Sequence, residues 1–209
     1  MRTIQKLSTS NPLDQKVLAE ALNVLFKAQS MGLVTEPIDV FRIDFRKLQS
    51  MLKQIGNAGI GTNVLKDVDE WHTDLPEIIQ PKLRRLAEIL EESPTPDTEW
   101  GPVRQLIPDG TLIRLLGGIS VSSLHRYSDR SRPTPPEIAE RLHVIALIIG
   151  DLSGSYDALG VAQWFTRPRK KAFDNKTPLD LLTGNWKPHD PAPAKVREFA
   201  KSLNYSVAT

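Results

Sequence analysis

Cysteine is absent from this 209-residue chain, which excludes disulfide bonds, thiolate nucleophiles and thiolate metal ligands. Long apolar runs are missing too: no stretch approaches the roughly eighteen residues of a transmembrane helix, and the N-terminus shows no signal-peptide core. These absences together predict a cytoplasmic protein. The net charge is only +2, so any nucleic-acid surface must be a local basic patch rather than a property of the whole chain.

Motifs for catalysis and metal binding are scarce as well. The four histidines are scattered singly, and neither an HExxH pair nor a GxSxG motif occurs. The glycine-rich segment 56–62 lacks the lysine that would reach a phosphate, and no predicted strand precedes it, so a connecting turn is the better interpretation. The sequence therefore predicts a protein that is not an enzyme and that binds no metal or cofactor.

Residues 1–95 predict an N-terminal helical module. Asn11 followed by Pro12 is a typical helix start, and Gly32 ends this first helix. Two further helices are predicted from apolar residues at helical spacing, namely Phe41, Phe45, Leu48, Leu52 and Ile55 in one, and Ile79, Leu83, Leu86 and Leu90 in the other.

A linker is predicted at 93–97, which is polar, rich in proline and without apolar periodicity. It divides the N-terminal module from a helix-turn-helix domain, 96–153, and a C-terminal helical unit, 154–209. No alternating run long enough for a sheet is present. The predicted fold class is therefore all-α, with many helices.

Residues 112–132 predict the helix-turn-helix itself. A short apolar helix, Leu112–Leu116, is broken by the pair Gly117–Gly118, because glycine adopts the left-handed conformation of a helix end without strain. A second helix begins near Ser120 and carries Leu124 and Tyr127 on its inner face. Such motifs usually contain one glycine between the helices, so the second glycine predicts a turn that is one residue longer.

The outer face of this second helix carries the chemistry of DNA contact. Hydroxyl groups bind phosphates, and an arginine pairs with guanine. The candidate DNA-binding residues are Ser120, Ser122, Ser123 and Arg126, with Arg130 and Arg132 beside them for phosphates. Helix–glycine–helix corners also occur in all-helical proteins that never contact DNA, and a face of serine and arginine is often only solvated.

Thr134 and Glu137 predict a capping box that opens a long helix. This helix is apolar around most of its circumference, from Ile138 to Leu152, so it must be buried on several sides. Either it is the central helix of the domain or a homodimer covers it. Operators with two-fold symmetry favour a homodimer or a larger even-numbered assembly.

The C-terminal unit resembles a known family. A helix that ends in Trp164–Phe165 is followed by a basic loop and then by the threonine-capped segment 177–182, TPLDLL. A predicted helix-turn-helix precedes these segments. The resulting order of segments is similar to that of the Xre–MbcA–ParS antitoxins, which end in a toxin-binding domain. In that family a glycine pair precedes TPL; here Asn175 and Lys176 stand in its place. The resemblance covers about half the chain.

The resemblance implies an antitoxin of a type II toxin–antitoxin system. Such proteins neutralise an NAD-consuming toxin of the RES type and repress their own operon by binding operator DNA. It also implies that the last helix contacts the toxin through Val196, Phe199 and Leu203, although this stripe could equally complete the chain's own core. The alternative function is a stand-alone helix-turn-helix regulator that uses the C-terminal unit for dimerisation or for another partner.

Overall fold

The computed structural model describes residues 13–72 and 75–204, and within these ranges it contains helices and no strand. The predicted all-α fold class is confirmed. None of the described helices is both long and apolar enough to cross a membrane. In chain order the helices are α1 (Gln15–Ser30), α2 (Phe45–Asn57), α3 (Thr62–Leu65), a 3-10 turn (Val68–Glu70), α4 (Pro76–Glu91), α5 (Pro96–Leu106), α6 (Asp109–Leu115), α7 (Val121–Ser128), α8 (Pro136–Ser153), α9 (Ala158–Trp164), α10 (Lys170–Phe173), α11 (Pro178–Leu181) and α12 (Pro191–Asn204).

The first two helices begin later in the chain than the sequence pattern predicts. Asp14 caps α1 by accepting two backbone N–H groups of its first turn, whereas the predicted cap Asn11 lies outside the described residues. Asp44 caps α2 by accepting the backbone N–H of Lys47 at 2.8 Å. Phe41 therefore falls in the preceding loop, where 98% of its surface is exposed. The predicted inclusion of Phe41 in this helix is wrong.

Helix α8 is the centre of the molecule. Every residue from Arg141 to Leu152 is buried, and α1, α5, α9 and α12 pack around the helix. Helix α1 approaches so closely that a Cβ atom on Gly150 would lie 2.9 Å from the Cα atom of Lys27. The chain itself covers the apolar circumference of α8, so a homodimer is not needed for that purpose. The predicted homodimer now depends on the two-fold symmetry of operators alone.

One hydrophobic core extends through all three predicted regions. The end of α1 lies directly against α5, since a Cβ atom on Gly32 would lie 2.3 Å from the carbonyl oxygen of Thr98. The proline-rich segment 93–97 is short, and its last two residues already belong to α5. The three-domain division stays a prediction, and the described parts of the regions share their core.

The predicted capping box at Thr134 and Glu137 is wrong. Pro135 is the residue that precedes α8, which places Glu137 at the second helical position, one residue too early for a capping box. The hydroxyl of Thr134 instead accepts a hydrogen bond from the indole Nε1 of Trp100 at 3.0 Å. Thr134 therefore joins the start of α8 to α5.

Candidate nucleic-acid interface

The turn between α6 and α7 is a Schellman motif built on the two glycines. Gly118 donates its backbone N–H to the carbonyl of Ile113 at 2.9 Å, and Gly117 donates to that of Arg114 at 3.1 Å. Both glycines have positive φ, 88° and 82°. A Cβ atom on Gly117 would also lie 2.1 Å from Nη1 of Arg141, so any other residue would be strained and would displace this guanidinium. The glycine pair thus gives the corner one defined shape.

Aromatic packing holds the inner face of helix α7 against α5. Leu124 and Tyr127 are buried, as the sequence predicts, and the Tyr127 ring stacks on Trp100 of α5 with 6.4 Å between the ring centroids. A stacked pair of this kind adds about 0.5–1.5 kcal/mol beyond its buried area. This contact fixes the rotation of α7, and with it the face that points outward.

Arg104 of α5 ties both helices of the corner together. Its guanidinium makes two hydrogen bonds to the carboxylate of Asp109 at the start of α6, at 3.1 and 2.8 Å. Its Nη1 also donates to the hydroxyl of Ser128, the last residue of α7, at 2.8 Å. A planar guanidinium can serve both partners at once, whereas a lysine ammonium lacks this fixed geometry.

The four candidate serine and arginine residues of α7 divide into two pairs. Ser120 is the N-cap: its Oγ accepts the backbone N–H of Ser123 at 3.0 Å and lies 2.9 Å from the Oγ of the same residue. Both of these hydroxyls are committed to the start of the helix. Ser122 and Arg126 are exposed on the outer face. A DNA ligand would meet this second pair first.

Arg130 and Arg132 lie in the loop after α7, and both are exposed. The backbone N–H of Arg132 donates to the carbonyl of Arg126 at 3.0 Å, and its guanidinium lies 5.7 Å from the Tyr127 ring centroid. Arg130 has a φ of 62° and donates from Nη2 to the backbone carbonyl of Asp97 at 2.8 Å. The loop thus folds back on α7 and brings Arg126 and Arg132 together, while Arg130 is turned toward α5.

Val121 and His125 are also exposed on this face, and 57% of the surface of Val121 is accessible. Neither residue is among the candidate DNA-binding residues that the sequence predicts. The acidic Asp129 lies at the far end of the helix. Hydrogen bonds from the side chain and backbone of Ser131 keep the pKa of Asp129 below its ordinary value.

Arg141 joins the α6–α7 corner to the C-terminal unit. From the middle of α8 its guanidinium donates to the carbonyl of Leu116 at 3.0 Å, to that of Trp186 at 2.9 Å and to Oδ1 of Asn185 at 2.6 Å. The indole of Trp186 in turn donates to the carbonyl of Leu115 at 2.8 Å. A buried cation is stable here because it lies at the C-terminal, negative end of α6.

The proposed toxin-contact stripe on α12 packs against the chain's own core. Val196 is fully buried, and Phe199 lies between Trp164 and Phe173, with ring centroids 6.2 and 5.2 Å away. Leu203 is partly buried against the same core. These residues therefore need no partner to cover them, since α8 and its neighbours provide that cover. The fully buried Val196 is unavailable as a contact in this conformation.

The basic loop before α11 contains two residues in the left-handed conformation, Asp174 and Asn175, with φ of 50° and 65°. Aspartate and asparagine tolerate this conformation better than most residues. The predicted threonine cap is confirmed, because Thr177 and Asp180 form a full capping box at the start of α11.

A cluster of buried charges joins α12 to the rest of the molecule. Glu91, the last residue of α4, forms ion pairs with Nζ of Lys27 at 3.1 Å, with Nη2 of Arg197 at 2.7 Å and with Nζ of Lys201 at 3.1 Å. Although burial alone would raise it, these cations lower the pKa of Glu91 to about 2. Asp151 lies farther from the same cations, 3.7–3.8 Å, and burial raises its pKa.

A groove of about 640 Å³ lies beside this cluster, between α4, α8 and α12. His143 lines it, but both ring nitrogens are occupied: Nδ1 lies 2.6 Å from Oε1 of Glu99, and Nε2 lies 3.1 Å from the carbonyl oxygen of Glu91. Because a carbonyl only accepts, Nε2 carries a proton and offers no lone pair to the groove. Among residues 13–72 and 75–204, no group of three or more potential ligands is arranged to hold a metal ion.

Comparison with protein-family models, with curated proteins and with solved structures finds no match to this chain.

Proposed function

We propose that this chain is a sequence-specific DNA-binding regulator that reads the major groove with the outer face of α7. The observation that carries the proposal is the exposed pair Ser122 and Arg126 on a short helix whose rotation is fixed by its core contacts. A recognition helix needs both properties, because base contacts require side chains that are presented in a rigid and repeatable position. Operator DNA in the cytoplasm would be the ligand.

Charge supports the same proposal. Arg126, Arg130 and Arg132 concentrate positive charge within one turn of α7 and its following loop, whereas the whole chain carries only +2. Their carboxylate neighbour Asp129 is turned back on Ser131. A local basic patch of this kind binds phosphates and positions the helix, while Ser122 and Arg126 contact base edges.

Replacement of Arg126 by alanine should reduce specific DNA binding by about 1–3 kcal/mol, the cost of losing one good base contact. Arg132→Ala should instead weaken binding to all sequences alike and flatten its salt dependence, because it removes a phosphate contact. The measurement is selection of a preferred site from a random duplex library, followed by fluorescence anisotropy at several salt concentrations.

Arg85→Ala is the matched control, since Arg85 is an exposed arginine of α4 that forms an ion pair with Glu88 in the same helix. This variant should bind DNA as the wild type does. If the Ser122→Ala, Arg126→Ala double variant selects and binds the same site with unchanged affinity, α7 is not the recognition helix.

We also propose, from the resemblance, that the regulator is the antitoxin of an operon that encodes a RES-type toxin. The order of parts supports this proposal: the α6–α7 corner, the buried α8 and the capped TPLDLL unit follow one another along the chain. A stand-alone regulator with another partner is the alternative. The two proposed functions predict different partner proteins, and both predict DNA binding.

The toxin-contact surface is then the outward face of α12 rather than its buried stripe. Its exposed residues recur at helical spacing, so they form one continuous surface; they are Ala194, Lys195, Glu198 and Ser202. Substitutions on this exposed face should leave the hydrophobic core unchanged. Truncation of the chain before α12 would disturb the core, because α12 covers α8.

The double variant Lys195→Glu, Glu198→Lys should lose toxin neutralisation while it keeps its fold and its DNA binding, because both side chains are exposed and their charges are inverted. The test is survival of cells that co-express a RES-type toxin encoded beside this gene. Lys66→Glu, Glu70→Lys is a control of the same type, because both of these residues are exposed, and it should still protect. Full protection by the α12 variant would show that neutralisation does not use this face.

A further inference from the structure

Val121 is an exposed branched aliphatic residue at the first position of α7, among polar neighbours. It shares the outer face with Ser122, His125 and Arg126, since residues separated by one, four and five positions fall within about 140° of a helix circumference. In the proposed function, the polar members of this face form hydrogen bonds to DNA. An aliphatic side chain cannot form a hydrogen bond, so Val121 would make a different kind of contact with DNA.

We propose that Val121 determines specificity by contacting the 5-methyl group of a thymine in the major groove. This inference rests on the proposed DNA-binding function and goes further by naming the base that is read. Among the four bases only thymine presents an apolar group in the major groove, and apolar side chains recognise it by contact. The first residues of a recognition helix are those that approach base edges most closely.

The local structure holds Val121 firmly in this position. The residue before it, Ser120, caps the helix, and the glycine pair with its Schellman hydrogen bonds sets the direction in which α7 begins. Leu124 and Tyr127 anchor the opposite face in the core. A methyl–methyl contact needs this rigidity, because dispersion attraction falls off within a fraction of an ångström.

The position of Arg126 makes the prediction more specific. It lies five residues after Val121, about 7.5 Å along the helix axis. An arginine on this face pairs with guanine through O6 and N7. The selected half-site should therefore contain a thymine and a guanine within about three base pairs of each other.

The experiment uses the full chain and a duplex that carries its selected site. Each thymine is replaced in turn by deoxyuridine, which removes only the 5-methyl group and keeps every hydrogen bond of the base pair. For the wild type, one thymine per half-site should show an affinity loss of about fourfold, the effect of one buried methyl-sized group. Val121→Ala should lose a similar factor on the thymine duplex and show no further loss on the uracil duplex.

Two control variants separate this contact from other effects. Ser122→Ala, on the same face, should bind more weakly and yet keep the full sensitivity to deoxyuridine. Ile78→Ala removes a comparable exposed aliphatic side chain, 47% exposed in the first turn of α4, and should behave as the wild type.

The outcomes distinguish this inference from the proposed function. A selected site at which no thymine-to-uracil change exceeds about twofold would overturn the role of Val121 and leave DNA binding standing. A Val121→Ala variant that loses as much affinity as the wild type when thymine is replaced by deoxyuridine would also overturn the role of Val121 and leave DNA binding standing. A selection that enriches no site at all would overturn both the proposed function and this inference.

Discussion

Replacement of Glu91 by glutamine should destabilise the protein by about 3 kcal/mol, because this carboxylate pairs with three cations and its removal leaves Lys27 and Arg197 only the more distant Asp151. The side chain of Glu91 is only 26% exposed, and that of Lys27 is 4% exposed, so water replaces the lost partner poorly. For a chain of this length the change corresponds to a fall in Tm of about 6–12 °C. Urea and thermal unfolding at pH 7 measure it.

The effect of Glu91→Gln should depend on pH in a defined direction. Glu91 has a pKa of about 2 in the folded protein, below its ordinary value of 4.5. A lowered carboxyl pKa stabilises the fold above the ordinary value, and this contribution disappears as pH falls through the folded value. The difference between wild type and variant should therefore be complete at pH 6 and shrink steadily from about pH 4.5 to about pH 2.

Two variants act as controls for this prediction. Asp151→Asn should cost markedly less, because burial already raises the pKa of Asp151 and its ionised form gains little from cations 3.7–3.8 Å away. Glu88→Gln, in an exposed pair with Arg85, should change stability by less than about 0.5 kcal/mol. Equal effects of all three substitutions at pH 7 would contradict the central role of Glu91.

Replacement of Arg141 by lysine should destabilise the protein by about 3 kcal/mol, although lysine retains the positive charge. The guanidinium serves three acceptors on two segments, Leu116 on one side and Asn185 and Trp186 on the other. A lysine ammonium cannot reach all three in that planar arrangement. Each buried acceptor that loses its donor costs about 1–3 kcal/mol. Chemical denaturation measures the loss.

Under the proposed function, the same variant should also weaken specific DNA binding, although Arg141 itself would not contact DNA, because Arg141 supports the turn that sets the direction of α7. Hydrogen exchange at residues 115–118 should increase more than exchange in α2 or α4, which lie outside this network. Arg114→Lys, at an exposed position of α6, should leave both stability and hydrogen exchange unchanged. If Arg141→Lys matches that control, the link between the corner and the C-terminal unit carries no stabilising energy.

Local sequence signals correctly predicted the features that depend on only a few neighbouring residues. The glycine pair at 117–118, the inward Leu124 and Tyr127, and the threonine cap at Thr177 all lie where the sequence indicates. The same signals identify the all-α class. Each depends on backbone conformation or on contacts within one or two helical turns, so the residues themselves contain the necessary information.

Patterns that admit two structures could not be resolved from the sequence. The stripe Val196, Phe199 and Leu203 is apolar whether it meets a toxin or α8, and the apolar surface of α8 suits a dimer or a central helix equally well. Thr134 and Glu137 have the spacing of a capping box, yet the hydroxyl of Thr134 bonds to Trp100 across the fold. In each case the outcome depends on a partner far away in the chain.

The sequence by itself therefore determined that this protein is built of helices, where several of them begin and end, and which residues of α7 face outward with polar chemistry. Tertiary structure alone decided that the N-terminal helices share the core of α8, that α12 turns its apolar stripe inward, and that Arg141 joins the corner to Trp186. The physical reason is range: hydrogen bonds within a helix act between near neighbours, whereas burial depends on which distant faces meet.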